Sequence, residues 1–256
     1  MQWPKALADP LFYRKTPMAL QAKPYLREIS IAPTATFDAA EYPFSIPAVR
    51  AMGTIVPHAD VTFFVGENGA GKSTILEAIA VAMGLPSEGG SGNVHRKQQD
   101  TSQLHQHLKL VKSFRKPRTS YFLRAESLFN VFSYLDSLGP GSPPSLHLRS
   151  HGEAFMDVLH GFRPGGLYLL DEPEAALSPA RQLAALTAMH ALVRQECQFI
   201  IATHSPILLA YPNAKILQFD GDGIAEVAYE DTEHFAVTRD FLNHYEGRLE
   251  RLLSDE

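Results

Sequence analysis

The sequence predicts an α/β fold, a mainly parallel sheet covered by helices on both faces. Three observations carry that expectation. Short, continuous apolar runs at Val61 to Val65, Leu167 to Leu170 and Phe199 to Ala202 have the length and composition of strands buried on both faces. Segments with helical periodicity separate them, and strand–helix alternation favours parallel pairing with right-handed crossovers. Each run also stops abruptly at a glycine-rich or polar stretch, as strands do where they reach the functional edge of such a sheet.

Taken in order, Tyr25 to Ile31 reads as a strand, and the Pro/Ala/Phe-rich stretch to Val49 as short antiparallel pieces. After the strand Val61 to Val65, a helix is expected over Lys72 to Leu85, with Ile75, Leu76, Ile79 and Met83 on one face and Gly84 and Pro86 near its end. Ser87 to Gly92 is a Gly/Ser loop, and Tyr121 to Ala125 a further strand. The helix Pro179 to Gln195 has proline in its first turn and Leu183, Leu186, His190 and Val193 along one side. Lys215 to Phe219 and Ile224 to Tyr229, joined by Asp220-Gly221-Asp222-Gly223, form a closing hairpin. Phe241, Leu242, Tyr245, Leu249 and Leu252 mark an amphipathic C-terminal helix.

Composition sets bounds. The chain has 256 residues and 45% hydrophobic content, enough for one large core or two modest ones. No window approaches the run of about 18–20 apolar residues that a spanning helix needs. Pro4, Asp9, Pro10 and Pro17 are incompatible with a secretory signal. The lone cysteine, Cys197, excludes an internal disulfide framework, suits a reducing cytoplasm and is expected in the core. A net charge of −5 decides nothing about nucleic acid.

The first chemical signal is Gly66-Glu67-Asn68-Gly69-Ala70-Gly71-Lys72-Ser73-Thr74, a Gly-x-x-x-x-Gly-Lys-Ser string between a strand and a helix. Glycines let the backbone curl so that successive N–H groups face a phosphate, and the following helix points its positive end at the same anion. Lys72 can reach the outer phosphates, and the Ser73 hydroxyl can join the shell of a Mg²⁺ ion. The bare string also arises by chance; the flanking strand and helix favour nucleotide binding.

The second is Leu167-Tyr168-Leu169-Leu170-Asp171-Glu172-Pro173-Glu174, a strand ending in adjacent carboxylates. Asp171 can hold Mg²⁺ directly or through water, and Glu172 can orient and deprotonate an attacking water. The bland alternative is a solvated acidic turn; its place after a phosphate loop argues against that. The third is Phe199 to Pro206, where a strand delivers His204. An imidazole there can donate to a γ-phosphate or to the attacking water. Alone, such a histidine is more often structural; behind two phosphate motifs it is a candidate for the site.

Phosphate loop, Asp171-Glu172 and His204, in this order and each after a strand, resemble the P-loop NTPase fold of ABC-ATPase type shared by transporter subunits and SMC/recombination-type ATPases. The resemblance implies ATP and Mg²⁺ as cofactors, a small antiparallel β subdomain, and one ABC-type ATPase domain over residues 1–256, with a helical, signature-bearing subdomain at about 86–160. It also asks for a signature resembling Leu-Ser-Gly-Gly-Gln. Arg149-Ser150-His151-Gly152-Glu153 is the candidate, with Ser150 lying 21 positions before Asp171. In the family, the N–H groups matching Ser150 and Gly152 contact the γ-phosphate held by the other subunit; His151 stands where glycine is usual. Ser178, where transport subunits usually carry Asp, and Thr203-His204-Ser205-Pro206 are similar to the soluble SMC-like branch. From Phe64 onward, Phe122 to Ser127 and Ser150 to Glu153 also resemble a small bacterial family of stand-alone AAA/ABC ATPases.

Only 78 positions separate Lys72 from Ser150, so no coiled-coil arm is expected between them, and no nuclease domain is expected after residue 256. The usual Gln near Mg²⁺ has candidates in Glu126, Gln98, Gln99 and Gln103, with Glu126 preferred. Phe37, Tyr42 and Phe44 are candidates to stack on adenine, and equally for the core. Arg96, Lys97, Lys109, Lys112, Arg115, Lys116 and Arg118, against Asp100 alone, make Val94 to Arg118 basic. Such a patch can steer toward nucleic acid or an acidic partner, but a solvated face of the helical subdomain is favoured. His95, His105 and His107 lack metal spacing, so no structural metal is expected. The resulting expectation is a cytoplasmic ATPase closing as a homodimer on ATP to switch a protein or nucleic-acid partner. An ABC transporter ATPase subunit with a membrane partner is the alternative, and a binding-only nucleotide sensor ranks last.

Overall fold

A computed structural model of the chain describes residues 22–91, 102–126 and 151–254. In chain order the elements are β1 (Leu26–Ile31), α1 (Pro47–Arg50), β2 (Val61–Val65), α2 (Lys72–Ala82), β3 (Gly90–Ser91), α3 (Leu104–His107), β4 (Leu108–Lys112) and β5 (Thr119–Arg124). Then follow α4 (His151–His160), β6 (Gly166–Asp171), α5 (Pro179–Val193), β7 (Gln198–Ala202), α6 (Pro206–Leu209), β8 (Lys215–Phe219), β9 (Ile224–Val227) and α7 (Glu233–Leu253), with 3-10 turns at Pro173–Ala176 and Tyr229–Asp231.

Seven strands form one sheet in the order β3-β5-β6-β7-β2-β8-β9. The five from β5 to β8 run parallel, and β3 and β9 pair antiparallel at the edges. β1 and β4 form a separate antiparallel ribbon. Every residue of β2, β6 and β7 is buried, as expected of strands covered on both faces. Because side chains alternate along β2, Phe64 enters one core with α2, the ribbon, Phe44 and Val49. Phe63 and Val65 enter the other, with Phe155, Leu159, Met189, Leu192, Leu208 and Leu209 from α4, α5 and α6. Cys197 is fully buried in this second core, as expected.

Several local expectations need correction. Pro33 to Ile46 contains no strand, and Pro47–Arg50 is a single helical turn. In α5 the buried face is Gln182, Ala185, Met189 and Leu192, whereas Leu183 is exposed. The apolar and polar residues of this helix are so mixed that its packing on α4 and α6 decides the inward face. The basic stretch contains a strand, β4, because Leu108 and Leu110 pack beside the first core while Lys109 and Lys112 point to solvent. The Gly/Ser loop contributes the short edge strand β3. Of the interval 86–160, the described residues include β4 and β5 as well as α3 and α4; Gln98, Gln99 and Ser150 lie outside the described residues. α7 leaves Phe241, Leu242, Tyr245, Leu249, Leu252 and Leu253 exposed. Among the described residues, no helix is long and apolar enough to cross a membrane.

Candidate functional site

Strand register builds the site. Arg124 at the end of β5 lies opposite Asp171 at the end of β6; Asp171 lies opposite Ala202 of β7, and Ala202 opposite Phe64 of β2. The segments leaving these strands therefore emerge side by side: the phosphate loop after Val65, Glu172 to Glu174 after Asp171, and Thr203 to Ser205 after Ala202. This is the carboxyl edge at which parallel α/β sheets take ligands.

The loop depends on glycine at two points. Gly66 has φ +139°, and a Cβ there would lie 2.2 Å from the Phe219 carbonyl oxygen. Gly71 caps α2 with φ +98°, and a Cβ would lie 2.9 Å from Ile46 Cγ2. The first amides of α2 lack intrahelical acceptors, which makes the loop an anion cradle. Lys72 is buried, and its ammonium donates to the carbonyl oxygens of Gly66 and Glu67, each at 2.8 Å. Burial lowers its pKa, opposed by the charges of Glu172, Asp171 and Glu174. A cleft of about 330 Å³ is lined by Asn68, Gly69, Gly71, Lys72, Ser73, Thr74, Glu172, Tyr42 and Ile46.

Ser73 Oγ donates to Asp171 Oδ1 at 2.8 Å, joining the first two motifs. The Asp171 carboxyl is buried, and burial raises its pKa to about 6 against the opposing pull of Arg124 and the Ser73 hydroxyl. Arg124 Nε stands 3.3 Å from Asp171 Oδ2, close but not aligned as a hydrogen bond, while its Nη1 donates to Glu77 Oε2 at 2.8 Å. Ser73 and Asp171 present the hard oxygen donors that Mg²⁺ prefers, so the donor set fits that ion.

Glu172 occupies the left-handed region at φ 48°, a costly conformation for a non-glycine residue. Its N–H donates to Ala202 O, and the turn leaves its carboxylate on the cleft. Glu172 Oε1 lies 3.7 Å from His204 Nε2. The histidine loop is pinned from below: Glu174 accepts from the His204 N–H through Oε1 and from the Thr203 hydroxyl through Oε2, the latter at 2.7 Å. Ser205 Oγ caps α6 by accepting from Ile207 and Leu208, and donates to Gln182 Oε1. Burial lowers the His204 pKa, as does the nearby Lys72 charge, with Glu172 opposing, so the ring is neutral near pH 7.

The structure thus brings Lys72, Ser73, Asp171, Glu172 and His204 together. It adds three residues to which the sequence reading gave no role. Arg124 was overlooked because β5 ends there rather than one residue later, at Ala125; Glu126 is exposed, although its charge still reaches Asp171. Glu174 has no recognisable spacing to His204, and His234, whose Nε2 meets His204 Nδ1 at 2.8 Å, comes from a different helix thirty positions on. Gln103 is exposed at the start of α3. Gly152, in the first turn of α4, packs within its own chain: a Cβ there would lie 2.8 Å from Ala176 O. Glu153 pairs with Arg181 at 3.3 Å. Ser178 caps α5, its hydroxyl accepting from the Arg181 N–H, which gives this serine a local reason beyond any family pattern. Phe44 is buried in a stack with Phe37, while exposed Tyr42 borders the cleft with its hydroxyl 3.3 Å from Thr74 Oγ1.

Comparison with known proteins adds to this geometry. Residues 51–129, which hold the phosphate loop, match a family model described as "AAA domain". Residues 154–210, which hold the paired acids and His204, match one described as "AAA domain, putative AbiEii toxin, Type IV TA system". The two matched segments together hold the phosphate loop, the paired acids and His204, and both models describe AAA domains. No curated protein matches the sequence. Among solved structures, the chain is similar to the SMC head domain from Thermotoga maritima, at 17% identity over 79% of this chain and 98% of that one, with a TM-score of 0.42. It is also similar to an SmcHead bound to the C-winged helix domain of ScpA, at 14% identity over 68% and 92% of the two chains (TM-score 0.40). A third is the RNase-L Inhibitor, at 17% identity over 68% of this chain and 35% of that chain (TM-score 0.39).

Proposed function

We propose that the chain binds and hydrolyses ATP with Mg²⁺, closing as a head-to-tail homodimer on two ATP molecules to switch a partner. The observation that carries this is the Ser73–Asp171 hydrogen bond of 2.8 Å, which joins Asp171 to the cleft that Lys72, Ser73 and Glu172 line. Lys72 and the amides of Gly69 to Thr74 bind and neutralise the phosphates. Mg²⁺ held by Ser73 and Asp171 supplies charge neutralisation at the outer phosphates. Glu172 orients the attacking water and takes its proton; His204 donates to the γ-phosphate oxygen. Ser150 and Gly152 complete the site of the opposite subunit, so loss of the γ-phosphate reopens the dimer. Exposed Tyr42 is the best placed of the three aromatics to meet the base.

Glu172→Gln tests this reading. The variant keeps the shape of the side chain but cannot accept the proton, so ATP traps a dimer with turnover reduced on the order of 10²–10³-fold. Normal hydrolysis by a monomeric variant refutes it. Among partners, nucleic acid is favoured by a specific surface: Lys109, Lys112, Arg115, Lys116 and Arg118 are all exposed beside Phe114, itself 63% exposed. DNA or RNA should stimulate the ATPase, and neutralising Arg115, Lys116 and Arg118 should abolish the stimulation. Unchanged stimulation would favour a different face.

A further inference from the structure

His204 touches one residue outside the three motifs. Its Nδ1 lies 2.8 Å from Nε2 of His234, in the first turn of α7. Two nitrogens at that distance share one proton, since an N–H needs a lone pair opposite it. Burial lowers the pKa of both rings, and the nearby Lys72 charge lowers them further, so both are neutral near pH 7. Two arrangements remain, and the surroundings separate them. If His204 Nδ1 carries the proton, His204 Nε2 presents a lone pair to the Glu172 carboxylate at 3.7 Å, which is repulsive. It would also face any phosphate oxygen with an acceptor. If His234 Nε2 carries the shared proton, His204 is protonated at Nε2 and directs an N–H at Glu172 and the cleft.

In the second arrangement the outer nitrogen of His204 is a donor. His204 Nε2 is buried and has no hydrogen-bond partner, and neither has His234 Nδ1. An unpaired buried donor on a binding cleft is what an incoming oxygen acceptor would satisfy. The backbone of His204 is independently fixed by Glu174, so rotation of the ring is the freedom left for His234 to remove.

We propose that His234 is a positioning residue: its Nε2–H donates to His204 Nδ1, fixing the tautomer and orientation that point the His204 Nε2–H at the γ-phosphate site. The catalytic part of this rests on the ATPase reading above. The arrangement also ties α7 to the site. Glu233, His234, Val237 and Thr238 of that helix face Glu67, Asn68 and His204 across a cleft of about 520 Å³. Histidines that ligate or donate in a site are commonly held through their other ring nitrogen by such an outer partner.

The test uses the full chain with His234→Leu and His234→Gln. Leucine removes the donor; the glutamine amide can donate from nearly the same place. Leucine should lower kcat on the order of 10-fold, with ATP affinity within about threefold of wild type. Glutamine should recover most of the lost kcat. In ¹⁵N-histidine spectra of the nucleotide-free wild type, with His204 assigned by the His204→Gln variant, Nε2 should be of the protonated type and Nδ1 of the bare type. That pattern should be lost in His234→Leu. Equal loss of kcat in both variants, an effect on affinity alone, or a His204 proton on Nδ1 in wild type overturns the proposal. If wild type shows no ATP turnover, the ATPase reading falls, while the spectra still decide the His204–His234 bond.

Discussion

Gln198 is fully buried at the start of β7, and its amide is a four-bond polar link between the start of the β1–β4 ribbon and the main sheet. Its Oε1 accepts from the Tyr25 N–H at 2.8 Å and from the Leu26 N–H at 3.0 Å. Its Nε2 donates to Leu26 O at 3.1 Å and His58 O at 3.0 Å. Gln198→Leu preserves volume but withdraws all four bonds at once. A buried group left unpaired costs about 1–3 kcal/mol. His58 sits in a half-buried loop where water can replace its partner, so the three groups on Tyr25 and Leu26 decide the outcome. At about 1–1.5 kcal/mol each, the expected loss is about 3–5 kcal/mol, at the severe end for one substitution. Urea unfolding of the nucleotide-free protein measures it as a lower midpoint at similar slope. A loss below about 1 kcal/mol would mean that the ribbon is held by its apolar contacts with α2 and that the amide is incidental.

Two further outcomes follow from the site. Gly66→Ala places a methyl 2.2 Å from Phe219 O at φ +139°, so it should cost about 2–4 kcal/mol by thermal unfolding and weaken ATP binding; a wild-type Tm would refute the close approach between loop and β8. Asp171 has a folded pKa of about 6 against an ordinary 3.8, so its unfolded form ionises first. Its contribution is therefore fully present below pH 3.8 and is lost as pH rises to about 6, then stays level; the gap corresponds to about 3 kcal/mol. In EDTA, Asp171→Asn should lack that decline, and parallel pH profiles for variant and wild type would show that the carboxyl is not desolvated.

The sheet was legible because its central strands are apolar on both faces and stop at chemistry-bearing residues. Val61–Val65 and Lys215–Phe219 were bounded to the residue, and the others within two. The β1–β4 pairing was not legible, since Leu108 and Leu110 alternate with lysines in a stretch whose charge suggested a solvated helical face. Nor was the inward face of α5, where burying Gln182 depends on Ser205 Oγ and Leu177 O being there to meet its amide. At the site, residues with a motif spacing could be read; Arg124, Glu174 and His234 could not. Each depends on strand register or helix packing that brings distant positions together, and Glu126 was preferred because the end of β5 was placed one residue late, at Ala125.

The contacts of Lys72 and Asp171 with their surroundings explain why both can be buried at all. Lys72 is only 4% exposed, yet its ammonium has two loop carbonyls and three nearby carboxylates to offset desolvation. Asp171 is 5% exposed and has Ser73 and Arg124. Removing any one member takes away part of what offsets another's burial. On the proposed ATPase reading, an incoming triphosphate would displace the Lys72–carbonyl bonds but replace neutral acceptors with oxyanions, whose hydrogen bonds are roughly twice as strong. Mg²⁺ between Ser73 and Asp171 would likewise favour the ionised carboxylate that burial disfavours. On the proposed ATPase reading, the exchange therefore favours the bound state at Lys72 and Asp171 alike.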